Sequence, residues 1–540
     1  MARTSAGILR YASMRPRRPG VPALLTWPAM AAAAAVLLPV VYLVIRTMDA
    51  GGEAWDLLAR VQTLETLVRT ALLALAVTGA SLVLAVPLAW LTVRTDLPGR
   101  RLWSVLTVLP LVVPSYVGAF AFISALGPKG LLQQALAGPF GVDRLPEIFG
   151  FPGAWLTLTL FTYPYLLLSI RAALWGMDPA LEEASRSLGH GARSSFFRIT
   201  LPHLRPAIAA GALLVALYTL SDFGAVSLLR FDSFTRIIFL QYEASFDRTL
   251  ASALALVLVV FTIGLLLVEQ RARGRARYHS VGAGTQRPPP VVSLGRWRWP
   301  ALALCAAVVL AALGLPVSIL LYWLVKGLAQ GAPLGFLGGA TVNALYASGL
   351  AAIVVVAAAL PVSILAVRYA GRVSRLIEGI TYLGFALPGI VVALALVFFG
   401  ANFATPIYQT TFLLVLAYFI LFLPMAVGTV KASLLQMNPG VEEAARSLGR
   451  NQLRVWASVT LPMVRPGIIV GAALVFLTVM KELPATLLLA PTGFRTLATE
   501  MWAAADEGFF AGAAVPGLLL IVVSAIPVAV LLLRERRAGA

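Results

Sequence analysis

Long apolar runs, interrupted by short polar stretches, set the rhythm of this chain. Twelve of them lie near 27–45, 70–93, 103–126, 152–176, 206–227, 250–268, 299–325, 342–367, 377–400, 409–430, 466–490 and 512–533. A hydrocarbon core of roughly 30 Å takes about 20 apolar residues as helix. None of the runs shows the alternating segments of about ten residues that build a membrane barrel, so each predicts a spanning helix. The expected fold is an all-α integral membrane protein with about twelve transmembrane helices.

Composition agrees. The 540 residues are 60% hydrophobic and 12% charged, with a mean hydropathy of +0.88, far from the usage of soluble domains. The first run follows a basic tail, as a signal sequence would, but is too long and lacks a clear small-residue cleavage site, so a retained helix is expected. Loops numbered alternately from an inside N-terminus put 31 of the 42 Lys and Arg residues on the inner side. The positive-inside rule then places both termini in the cytoplasm. The net charge of +19 is accounted for by topology and anionic lipid, without a nucleic-acid partner. Cys305 alone gives no disulfide framework. His190, His203 and His279 form no H-E-x-x-H, so neither a metal site nor a catalytic residue is expected.

The polar stretches repeat. MDPALEEASRSLGHGARSSFFRITLP at 177–202 returns as MNPGVEEAARSLGRNQLRVWASVTLP at 437–462, and the thirty positions from 177 to 206 contain 14 identities at an offset of 260. Six runs lie in each copy, an even number, so the copies enter the membrane in the same sense as parallel six-helix repeats. LPLVVPSYV at Leu109 matches ALPGIVVAL at Ala386 only at an offset of 274, which puts about 14 extra residues in the first copy, expected in the outside loop 127–151. Asp178 and Asn438 can cap helices with Pro179 and Pro439 at the first turn, and Gly189 and Gly449 can end them in the left-handed region. Leu181, Ala184 and Leu188 then share a face, as do Val441, Ala444 or Ala445, and Leu448, giving a short amphipathic helix free to dock.

The spacing E-A-A, three residues, G, nine residues, I, one residue, L-P resembles the loop of permease subunits of binding-protein-dependent ABC importers. It is carried by Glu183, Ala184, Ser185, Gly189, Ile199, Leu201 and Pro202, and again by Glu443, Ala444, Ala445, Gly449, Val459, Leu461 and Pro462, with Ser185 and Val459 as departures and with Glu182 and Glu442 counted beside them as ATPase-coupling residues. The resemblance implies that each segment is a coupling helix gripped by a cytoplasmic ABC ATPase dimer, that an extracytoplasmic solute-binding protein delivers the solute, and that no cofactor is needed. The motor lies in another chain. Lys129, Lys326, Lys431 and Lys481 are the four lysines, and none sits in the G-K-[ST] of a Walker A loop.

The domains expected are a basic tail 1–26, a first helix and outside loop 27–65, a first permease domain 66–269, an inside linker 270–298 with its RARGRAR and QRPPP, a seventh helix and loop 299–340, a second permease domain 341–533 and a tail 534–540. FGAVSLL at Phe223 and KELPATLLL at Lys481 resemble fused ferric-iron permeases, and thiamine, aminoethylphosphonate and polyamine importers are the alternatives within the family. Asp222 and Glu482 pair at the offset of 260, and ionisable residues in spans are costly and face a partner or a wet path. With Lys481 they are the candidate gate or path. Lys481 could instead close a salt bridge with Asp222 or reach a neighbour in a coupling helix. A gradient-driven secondary transporter, the remaining alternative, would have no use for paired handles.

Overall fold

The computed structural model describes residues 22–49, 51–244, 249–272, 291–331 and 337–538. Most of the expected basic tail and linker, part of the loop before 340 and the last two residues lie outside them.

Regular structure in the described residues is helical, with one isolated bridge between Thr95 and Val292. The first half consists of α1 (Ala23–Asp49), α2 (Val61–Arg94), α3 (Arg100–Leu106), α4 (Ser115–Leu126), α5 (Phe151–Gly176), α6 (Pro179–Ser187), α7 (Leu201–Ser221), α8 (Gly224–Leu228), α9 (Phe234–Ala244) and α10 (Thr249–Ala272). The second begins with α11 (Leu315–Ala329), preceded by helical turns from Gly295, and continues through α12 (Gly338–Arg368), α13 (Arg372–Tyr382), α14 (Gly389–Phe403) and α15 (Thr411–Gln436). It ends with α16 (Pro439–Ser447), α17 (Leu461–Met480), α18 (Pro484–Leu489), α19 (Leu497–Asp506) and α20 (Phe510–Ala538).

Among the described residues ten helices are long and apolar enough to cross a membrane, and twelve crossings result if each of two bent pairs counts as one. Those pairs correct the expectation of unbroken helices over 103–126 and 377–400. The chain turns by 94° between Arg100–Val112 and Ser115–Phe140, and by 106° between Arg372–Ala386 and Gly389–Phe403. Pro114 and Pro388 sit at the turns with ψ of 144°, and the residues before them, Val113 and Leu387, are extended. Proline supplies no amide hydrogen and forbids helical geometry to its predecessor, so each run must bend there. Irregular backbone at membrane depth survives only inside protein or along a cavity. Accordingly α4 and α14 are buried along almost their whole lengths. The fifth run of each half also stops early, at Ser221 and Met480, and resumes as the short helices α8 and α18. The extra residues of the first half fall where expected, in a helix Leu131–Phe140 and the extended chain after it.

The halves exchange their outer helices. One apolar core joins α1, α9 and α10 to α12–α15, α17 and α18, and the other joins α2, α4, α5, α7 and α8 to the seventh span, α19, α20, the start of α12 and the end of α17. Helix α1 lies on α12, α13 and α14, while α11 lies on α4 and α20, where Trp323 Nε1 donates to Ser124 Oγ at 2.6 Å. The last span of each half packs against the bend of the other: α10 on Leu383–Ala386 and α20 on Leu109–Val112. Within each repeat the central spans pack on one another, α2 on α5 and α7 and α12 on α15 and α17, but each core is completed by spans of the other half.

Candidate functional site

Two constellations have polar groups with defined partners. The first is the pair of surface helices α6 and α16. Asp178 Oδ1 accepts from the Ala180 amide and Asn438 Oδ1 from the Gly440 amide, both at 2.9 Å, so each helix is capped as expected. Gly189 and Gly449 end them at φ +84° and +82°, a region that side chains strain to enter.

Their faces divide sharply. Leu188 and Leu448 are 79% and 84% exposed, with Leu181, Ala184, Val441 and Ala444 beside them on the outer side. Glu182 and Glu442 instead point inward and are buried. Glu182 pairs with Arg94 at 3.7 Å and accepts from the Thr200 hydroxyl at 2.8 Å. Glu442 pairs with Arg368 at 3.1 Å and accepts from Thr460 at 2.8 Å. The two acids grouped with the docking residues from sequence are thus fasteners, whereas Glu183 and Glu443 remain exposed. Arg94 and Arg368 were not singled out by sequence reasoning. The signal was available: each is the last residue of its helix and they match at the offset of 274, while Thr200 and Thr460 belong to the repeated Thr-Leu-Pro. A π-helical turn precedes that Leu-Pro in both halves, at Phe196–Thr200 and Trp456–Thr460. Leu201 and Pro202 are half-buried in α7, and Leu461 and Pro462 are exposed in α17.

The second constellation is a cavity of about 220 Å³ at the junction of the halves, lined by Ser115, Tyr116, Tyr218 and Asp222 from one and Met425, Thr478, Lys481 and Glu482 from the other. Asp222 follows the last turn of α7 with extended backbone. Its Oδ1 accepts from the amides of Ala225 at 3.0 Å and Val226 at 3.4 Å, and its Oδ2 accepts from the Ser115 hydroxyl. Glu482 Oε2 accepts from the amides of Ala485 at 3.0 Å and Thr486 at 3.2 Å. Each carboxylate therefore caps the short helix that follows it, satisfying amides otherwise orphaned where the spanning helix stops.

Lys481 departs from both pairings expected of it. Among the described residues no carboxylate lies within ion-pair distance of its ammonium, which donates to the Leu111 carbonyl at 2.7 Å, across the junction. Nor do any three His, Cys, Asp or Glu side chains converge among the described residues in the way a metal cage would need.

The family model described as the binding-protein-dependent transport system inner membrane component matches residues 79–277 and again 359–539, which together make up most of the chain. The chain belongs to this permease family. It is 35% identical over 518 residues to the Fe(3+)-transport system permease protein FbpB 2 of Haemophilus influenzae, covering 95% of this chain and 98% of that protein. It is also 24% identical over 441 residues to the ferric transport system permease protein FbpB of Actinobacillus pleuropneumoniae, covering 78% of this chain and 64% of that one. The molybdenum transport system permease protein ModB of Escherichia coli K12 is 35% identical over 158 residues, but only 28% of this chain is involved.

Within the permease, the two bends are unequal copies. Ser115 and Gly389 correspond at the offset of 274, as Asp222 and Glu482 do at 260. In the first half the shorter acid meets a serine hydroxyl. In the second the longer acid lies against bare backbone: a Cβ at Gly389 would stand 2.5 Å from Glu482 Oε1 and 3.0 Å from Pro484 Cγ. A methylene added to the acid is offset by a side chain removed from the bend. The permease family to which the chain belongs comprises membrane components of transport systems, and the multiple apolar spans fit a multi-pass membrane protein.

Proposed function

We propose that this permease forms the translocation path of an ABC importer for ferric iron, with the central cavity as its passage and α6 and α16 as the grips of a cytoplasmic ATPase dimer. A solute-binding protein docks on the opposite face and both termini are cytoplasmic. The observation that carries this reading is the repeated division of α6 and α16 into an anchored inner face and an exposed apolar ridge. Lipid alone would ask for an apolar face turned toward the membrane, with no buried acid fastening the other side. The ATPase supplies ATP hydrolysis, and this chain supplies two matching handles, so that closure of the motor moves both halves together.

Iron is favoured over molybdate by two supports. The near full-length relative is the one named for Fe(3+) transport. Two carboxylates against one ammonium leave the cavity formally negative, which suits a cation and opposes an oxyanion. Asp222 and Glu482 line and gate the path while capping α8 and α18, which fixes their charges in place without neutralising them. The experiment is uptake into proteoliposomes containing the permease and its ATPase and supplied with the binding protein, with radiolabelled ferric iron and molybdate compared. ATP-dependent ferric accumulation is expected. Molybdate uptake in its place would remove iron as the cargo, and accumulation without the ATPase would remove the importer reading altogether.

A further inference from the structure

The central cavity is lined by three ionisable side chains, and among the described residues none of them pairs with another. Asp222 and Glu482 are engaged by the amides of α8 and α18. Lys481 is the immediate neighbour of Glu482 and lines the same cavity, yet its ammonium crosses to the other half and bonds the Leu111 carbonyl. That carbonyl lies in the turn Leu109–Val112, at the carboxyl end of the arm that stops at Pro114, where backbone oxygens lack intrahelical partners and carry partial negative charge.

The second bend shows that a neutral contact suffices for packing. There Thr262 of α10 donates to the Ala386 carbonyl at 2.6 Å, again from one half to the other. At the first bend the packed helix is α20, which carries Ser524, a buried hydroxyl with no partner. The first bend is nevertheless held by a long lysine side chain reaching from the cavity wall. The counterpart of Lys481 in the first half, Ser221, merely bonds its own helix at Tyr218. A flexible ammonium is a costly choice for a static contact, because it must be stripped of water and held in one rotamer. It is a natural choice for a contact that opens and whose charge matters when it does.

We propose that Lys481 is a charged latch on the path. Bound to Leu111, it ties the halves together and holds a positive charge in the cavity that would otherwise offer two carboxylates to any small cation. Separation of the halves by the motor breaks one hydrogen bond, releases the ammonium, and leaves Asp222 and Glu482 held by their amides and open to the cargo. This assignment rests on the cation-import reading above and adds to it the residue that keeps the resting path shut to ions.

The test uses the full chain alone in liposomes loaded with dipicolinate, with terbium(III) added outside as a hard trivalent probe and a trapped chloride indicator run in parallel. Wild type and Lys481→Arg, which keeps the cation and the donor, should stay closed to terbium. Lys481→Met should admit terbium several-fold faster with chloride entry unchanged. Lys481→Gln, which keeps a donor but loses the charge and some reach, carries the same expectation should the methionine variant not insert. An inserted, folded Lys481→Met that stays closed overturns the latch. So does equal entry of terbium and chloride, since that is a structural rupture with no charge selectivity. Wild-type ferric uptake with the ATPase is measured separately: its absence alongside a selective leak in the variant would sink the importer reading and leave the latch standing.

Discussion

Ser115 and Gly389 stand at equivalent bends, and the acids beside them differ by one methylene, so the two pairs make a natural exchange experiment. Gly389→Ala puts a Cβ 2.5 Å from Glu482 Oε1, closer than real side chains approach. We expect this single change to slow ATP-driven uptake and lower thermal stability, because Glu482 must release the amides of Ala485 and Thr486 to escape. Adding Glu482→Asp shortens the acid and should restore part of both losses, as coupled neighbours do in a double-mutant cycle. Purely additive losses in uptake and melting temperature would show that the acid and the bend act independently. The helix-ending glycines behave differently. No atom stands within 4 Å of a Cβ built at Gly449, so the whole cost of Gly449→Val is its φ of +82°, about 1–2 kcal/mol for a left-handed residue. That variant should insert normally yet lose co-purification with the ATPase, and retained binding in the double variant with Gly189→Val would remove the stops from the coupling mechanism.

At the scale of elements, α6 and α16 are fastened by buried ion pairs, and removal of one partner is the costly change. Arg368→Ala leaves Glu442 buried without its counter-charge, an expected loss of about 3–5 kcal/mol, whereas Arg368→Met with Glu442→Gln leaves no orphan charge and should recover most of it. Thermal unfolding of the detergent-solubilised protein decides between these, and a double variant as unstable as the single one would refute the orphan-charge account. The surface helices α6 and α16 themselves were legible in the sequence, because caps, glycine stops and the i, i+3 and i+4 spacing are local signals. Their inward anchors were not, since Arg94 and Glu182 meet only through tertiary packing, although the repeat offset marked Arg94 and Arg368 as equivalent. Apolar runs announced the spans but hid the bends: hydropathy over 103–126 and 377–400 is continuous, and only Pro114 and Pro388 carried the information that each run breaks. Asp222 and Glu482 were found as ionisable residues in apolar surroundings. That they would be helix caps, with Lys481 turned away from both, depended on where α7 and α17 stop.

For the whole molecule, the proposed orientation rests on the arginine bias, and the near absence of cysteine makes it easy to check. Cys305 is buried, so cysteines introduced at Gln452 and Pro139 can be read against a quiet background. In intact cells an impermeant thiol reagent should label the one at 139 and miss the one at 452, and the reverse pattern would invert the topology. The exchange of outer spans between the halves bears on manufacture. Helices leave the ribosome in order, but α1 waits in the bilayer for α12, α13 and α14, and the α2-to-α8 bundle waits for α20, far along the chain. A nascent chain interrupted after its first six spans is thus not a finished permease domain with another to follow; it is an open assembly with a misplaced first helix and an uncovered bend. Truncation late in the gene should therefore expose both halves to membrane quality-control proteases at once, and a cell gains nothing by keeping the fragment.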